Sequence, residues 1–189
     1  MPGGLQRLQR GTYSDRGDRN GWTYWDAITL NHVASYFRMF QLAWSGTKTR
    51  DLTNMKTAGQ IPANQNFQVR SISVQYIAAA ARTSLVPIHK LLAETVCEII
   101  INGKDASYQK TLAQMLGLSF LVENATGAAN IVTQPFVDTI KQADKLSVPI
   151  TLAANVPFEV DLTCTVPNAA ALDGDIIKIG LNGMLLRAM

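Results

Sequence analysis

Charge is scarce in this chain. Asp, Glu, Lys and Arg make up 16% of its 189 residues, against roughly 25% in ordinary soluble domains. A free monomer covers itself with charge, so the deficit points to a surface buried against other subunits. Histidine is nearly absent, with only His32 and His89. A catalytic histidine needs an orienting carboxylate and a nucleophile, and a metal-binding β-shell draws on several histidines plus a carboxylate. Two isolated histidines supply neither set, and no CxxC, HExxH or His/Cys cluster is present. The reading is a protein without a catalytic centre, metal or cofactor. Two cysteines, Cys97 and Cys164, are no disulfide framework. Both fall in apolar registers of expected strands and read as buried free thiols, with a bridge between them left open. No apolar run approaches the ~20 residues of a membrane span. The first residues lack the apolar region of a signal peptide, so synthesis and folding in a cytoplasm are expected.

What the chain does have is apolar content, 47% of residues, arranged with a period of two. Over residues 158–166, Phe158, Val160, Leu162, Cys164 and Val166 alternate with Glu159, Asp161, Thr163 and Thr165. This spacing predicts a strand with one face in a core and the other toward water. Further strands are expected over 67–77, 94–101, 105–112, 118–123, 148–153, 175–181 and 184–189. In the first of these the apolar parity switches from Phe67 and Val69 to Ile72, Val74 and Tyr76. One face stays buried through that switch only if a residue is inserted, which predicts a β-bulge near Arg70 and Ser71. Asn102-Gly103 and Asn182-Gly183 both read as hairpin turns, because a type I′ turn needs positive φ at both central residues. A helical turn is expected within 83–92, limited at its start by Pro87, and a short helix is hinted at within 130–146. Residues 32–42 fit either strand or helix.

The fold class is therefore all-β: an eight-stranded antiparallel jelly-roll sandwich with an N-terminal arm and one or two short helices. An up-and-down barrel is the topological alternative. Residues 1–20 read as a flexible arm, 21–66 as an aromatic segment and loop packing on the sandwich, and 67–189 as the jelly-roll domain. The arm holds Arg7, Arg10, Arg16 and Arg19 against Asp15 and Asp18, a net of +2 within a chain total of +3. Those arginines are candidate contacts to nucleic acid or to a neighbouring subunit, and two net charges imply only a shallow salt dependence. Trp22, Tyr24 and Trp25 beside the arm are candidate subunit-interface residues, since aromatics are enriched at interfaces. Stacking on sugars or bases is the other use of such a cluster. Glu159 and Asp161, on one strand face, form a carboxylate pair that reads as a solvated or subunit-facing side rather than a glycosidase site. Asp173-Gly174-Asp175 reads as a turn.

Residues 47–69 resemble a phrase of jelly-roll virion proteins of bacteriophages. There a Thr-Asn-apolar element and an Ala-Gly-X-apolar-Pro turn lead into the first sandwich strand. Here Thr53-Asn54-Met55 and Ala58-Gly59-Gln60-Ile61-Pro62 stand at those places. The residues 148–160 and 175–184 are similar in kind. The resemblance implies a capsid structural protein located in the virion. It would assemble with itself into a large homo-oligomer, with other virion proteins as partners and weak genome contact through the arm. The alternative is a receptor- or glycan-binding spike or fibre head that uses Trp22, Tyr24 or Trp25.

Overall fold

The chain is described by a computed structural model covering residues 19–43, 48–80, 86–104, 106–117, 143–164 and 170–187. Eight strands are found there: β1 (Arg19–Thr29), β2 (Tyr36–Met39), β3 (Gln65–Ile77), β4 (Thr95–Ile101), β5 (Tyr108–Thr111), β6 (Asp144–Leu152), β7 (Phe158–Cys164) and β8 (Ile176–Arg187). They form two antiparallel four-stranded sheets, ordered β1-β8-β3-β6 and β2-β7-β4-β5. The pairing is nested. The first strand pairs with the eighth, the second with the seventh, the third with the sixth and the fourth with the fifth. Every connection along the chain crosses from one sheet to the other except the one from β4 to β5.

The alternation sets the core. Phe158, Val160, Leu162 and Cys164 of β7 are buried, as the period of two predicts, and join Ile99 of the neighbouring β4 and Phe67, Ile72 and Leu181 of the other sheet in one apolar cluster. Cys97 and Cys164 are both buried and form no disulfide; the Cys164 sulfur lies 2.9 Å from the Thr95 hydroxyl, and burial pushes the Cys97 thiol up to about 12. In β3 the register shifts between Val69 and Ser71, which makes Arg70 the inserted residue. Phe67 and Val69 before the bulge, and Ile72 after it, all stay buried.

Several boundaries differ from those read in the sequence. Residues 19–39 contribute two of the eight strands, so the sandwich takes in chain well before Phe67. The segment open between strand and helix is strand at Tyr36–Met39, where β7 supplies a ladder. The strand expected over 105–112 ends at Thr111, which caps a helix, α2 (Leu112–Leu116). The Thr111 hydroxyl accepts from Gln114 N at 3.3 Å, and Gln114 Oε1 accepts from Thr111 N at 3.1 Å. This is a capping box, closed at the far end by Gly117 at φ +66. The expected helical turn is α1 (Val86–Glu94). The strand expected over 118–123 and most of the helix hinted at over 130–146 lie outside the described residues, while Leu146 belongs to β6.

The largest correction concerns Asn182-Gly183. Asn102 and Gly103 do turn β4 into β5, with φ of +55 and +64. Asn182 and Gly183 instead lie inside β8, a single twelve-residue strand between β1 and β3, and neither has positive φ. Gly183 stands opposite Val69, where β3 bulges. A Cβ there would come within less than 3.0 Å of the Gln68 carbonyl. The glycine is needed for backbone approach rather than for turning.

Candidate interaction surfaces

Period-two geometry divides the aromatic segment of β1. Tyr24 points into the sandwich, 6% exposed, with its ring edge-on to Phe67 at 4.9 Å between centroids. Trp22 shares that parity at the strand's open end and is 47% exposed, its ring edge-on to Tyr24 at 6.2 Å. Trp25 lies on the opposite, outer face, with Lys178 Nζ of β8 4.9 Å from its ring centroid. The three rings therefore do not make one platform. Trp25 sits in a polar outer face with Thr23, Ser73, Gln75 and Lys178, and shallow grooves run along both of its sides. Asn182 knits this face together. It accepts from the Thr23 hydroxyl at 2.9 Å and donates to the Ser73 hydroxyl at 3.2 Å. Of the arm arginines, Arg19 opens β1 opposite Leu186. Arg7, Arg10 and Arg16 lie outside the described residues.

The outer face of the second sheet is acidic. Register places Arg38 (β2), Asp161 (β7), Glu98 (β4) and Gln109 (β5) in one row across all four strands, with Glu159 two residues along β7. Asp161 is only 4% exposed although it faces outward. It accepts from the Tyr36 hydroxyl at 2.5 Å, and burial together with that bond raises the Tyr36 pKa. Arg38 Nε lies 3.0 Å from Glu159 Oε2 and 3.5 Å from Asp161 Oδ1. Among the described residues, Asp161 Oδ1 accepts no hydrogen bond. Glu98, directly opposite Asp161, accepts from Gln109 Nε2 at 2.7 Å. Glu159 and Asp161 thus share one guanidinium, and Glu98 is held by Gln109 instead. The pairing of Glu159 and Asp161 was readable from alternation. Arg38 and Glu98 were not, because cross-strand register carries no local signal.

The segment that carries the resemblance acts as a clamp. Asn54 replaces a missing neighbour along the outer edge of β1. Its Oδ1 accepts from Trp25 N at 2.8 Å, its Nδ2 donates to Thr23 O at 2.7 Å, and its backbone N donates to Trp25 O at 3.2 Å. Buried Asp26 accepts from Lys48 Nζ and from Phe40 N, each at 2.6 Å. The second bond holds Phe40 in left-handed backbone, φ +65. Gly59, itself at φ +58, donates to Phe40 O at 2.6 Å and accepts from Phe158 N at 2.8 Å. Met55 and Ile61 plug the core. Between this clamp and the Asn102-Gly103 turn opens a cleft of about 350 Å³, lined in part by Gln41, Gly59, Gly103 and Phe158, with Glu159 at its side.

All four sheet edges are blunted. Asn54 covers β1, β2 and β5 have four residues each, and β6 carries Pro149 in a stretch that leaves the β3 ladder between Ile150 and Lys145. At the opposite end of the sandwich from the cleft, His32 Nδ1 lies 2.6 Å from Asp173 Oδ2, and His32 N donates to Asp173 Oδ1 at 2.6 Å. This pair ties the β1–β2 loop to the turn before β8. Asp175 beside it accepts from the Tyr76 hydroxyl and from Ala79 N. The Asp173-Gly174-Asp175 run is a turn, with Gly174 at φ +84. Comparison with protein families, with curated proteins and with solved structures finds no match.

Proposed function

We propose that the chain is a jelly-roll capsid protein that builds a virion shell by self-association, without catalysis of its own. The observation that carries the reading is the nested pairing of first with eighth through fourth with fifth strand. A long antiparallel ribbon rolled over a core gives that order, the arrangement of eight-stranded jelly rolls in coat proteins and lectins. The charge deficit adds support, because 16% charged residues cover a monomer thinly. The blunted edges support a particular mode of assembly. Strand addition is disfavoured, so contacts run through outer faces, sandwich ends and the arm. A glycan-binding head is the other occupant of this fold class. It would need a stacking platform, and Trp22, Tyr24 and Trp25 are split between a strand end, the core and the outer face of β1.

Light scattering on the purified full-length chain tests the proposal. Large particles are expected. Deleting residues 1–18 leaves β1 whole, so the circular dichroism should persist while the particles shrink to small oligomers. A stable monomer at high concentration, in low and moderate salt, would overturn the reading.

A further inference from the structure

We infer that the outer face of the first sheet, around Trp25 and Lys178, binds single-stranded nucleic acid without regard to sequence. In the shell proposed above that face looks inward, but the binding rests on the chemistry of the face alone. Register lines up Thr23 (β1), Asn182 (β8), Ser71 (β3) and Lys145 (β6) in one row across all four strands. Trp25 and Lys178 stand two and four residues from that row along β1 and β8, on the same side by the period of two. The bulge adds a third cation. Arg70 is exposed, and its Nη2 donates to Gln68 Oε1 of the same face at 3.2 Å. Among the described residues, no carboxylate points outward from these strands. Their two acids, Asp26 and Asp144, are buried and paired with Lys48 and Lys110. Asp51 reaches the rim from the loop after β2. Its backbone carbonyl accepts from Lys178 Nζ at 3.4 Å, and its carboxyl takes a hydrogen bond from the Thr49 side chain. The second sheet has the opposite sign outside, with Glu98, Glu159 and Asp161 against Arg38. A polyanion therefore meets attraction on one side of the sandwich and repulsion on the other.

Charge alone fits any polyanion, and Trp25 narrows the class to one that carries flat rings. The indole lies between two open grooves of about 210 and 160 Å³. The first runs past Gly21, which has open space around its Cα, to half-exposed Trp22. The second is lined by Thr23, Ser73 and Gln75 as well as Lys178, neutral donors and acceptors that suit any base. Lys178 Nζ is 4.9 Å from the Trp25 ring centroid, so an indole for a base and an ammonium for its phosphate stand side by side. Cations along a backbone and an aromatic ring for stacking are what sequence-tolerant single-strand binding uses. A duplex keeps its base faces stacked within itself and offers none to Trp25, so the single strand is the occupant.

Fluorescence anisotropy of a labelled oligothymidine, titrated with the dissociated full-length chain, tests this. Binding is expected at low salt and should weaken as salt rises. Lys145→Gln/Lys178→Gln should lower the affinity about fivefold or more. It should also make the slope of log affinity against log salt shallower by about 1.4, two contacts at about 0.7 each. Lys90→Gln/Lys104→Gln removes the same charge from exposed positions on α1 and in the turn after β4, and should change the affinity less than about twofold. Equal losses in the two pairs, or no binding by the parent chain, would overturn the proposal. Trp25→Ala should weaken oligothymidine binding about fivefold or more and heparin binding less than about twofold. Equal weakening of both, with circular dichroism unchanged, would overturn the assignment to nucleic acid. Ultraviolet cross-linking should attach the strand to the peptide that holds Trp25, and adducts confined to residues 1–18 would move the contact to the arm and overturn the face. Light scattering keeps the two readings apart. Particles from a chain that binds no oligothymidine would remove this face and leave the shell, and a monomer that binds it at Trp25 would uphold the face and remove the shell.

Discussion

Asn102-Gly103 and Asn182-Gly183 are the same dipeptide in opposite roles. The first sits at the tip of a hairpin, both residues left-handed, with open space around the Gly103 Cα. The second lies in the middle of the longest ladder of the first sheet, opposite the bulge of β3. Glycine at 103 answers a local demand for positive φ. At 183 it answers a demand made by a strand more than a hundred residues away. Asn182 then does what no turn residue does, bridging Thr23 and Ser73 across three strands. One dipeptide signals a turn only when nothing distant needs the same residues.

Substitutions at the two dipeptides separate these roles when urea unfolding is followed at one fixed chain concentration. Gly183→Val should have the largest effect, at least about 3 kcal/mol, because the new side chain meets backbone that cannot yield. Gly180→Ala should cost about 1–3 kcal/mol. There the obstacle is the Ser73 hydroxyl, so Ser73→Ala in the same chain should recover much of the loss, whereas no side-chain truncation rescues Gly183. Gly103→Val should cost about 1–2 kcal/mol, the penalty of left-handed backbone alone. Asn182→Ala should cost about 1 kcal/mol for its hydrogen bonds. A larger loss at Gly103 than at Gly183 would reverse the assignment and return a hairpin to 182–183.

Alkaline titration gives a further, independent handle on the core. The Cys97 thiol has its pKa raised from 9.0 to about 12. The folded state therefore holds this proton more tightly than the unfolded state. Its contribution is intact below pH 9 and is lost at about 1.4 kcal/mol per pH unit between 9 and 12. Cys97→Ala should flatten that part of the stability profile, and an unchanged slope would mean the thiol is not buried as described.

Legibility followed the range of each interaction. The inward faces of β3, β4 and β7 were readable because alternation is local, and so was the bulge, since the parity switch from Val69 to Ile72 leaves a mark in one strand. The α2 helix was readable and missed. Thr111 and Gln114 spell a capping box, with Gly117 as its stop, but 105–112 follows the Asn102-Gly103 turn and reads as its returning strand. The double role of Gly183 left no local mark, because its cause lies in β3. The aromatic segment was read as one cluster although Trp22 and Trp25 have opposite parity, a distinction the period of two already contained. The row from Arg38 to Gln109 depends on three cross-strand registers, which no single stretch of sequence encodes.

A shell protein of the kind proposed tiles by self-association. Negative-stain electron microscopy of the purified full-length protein tests it most directly. Closed or helical particles of uniform diameter made from this chain, forming over a range of salt, are expected. A field of isolated small particles, unchanged by concentration or salt, would contradict it.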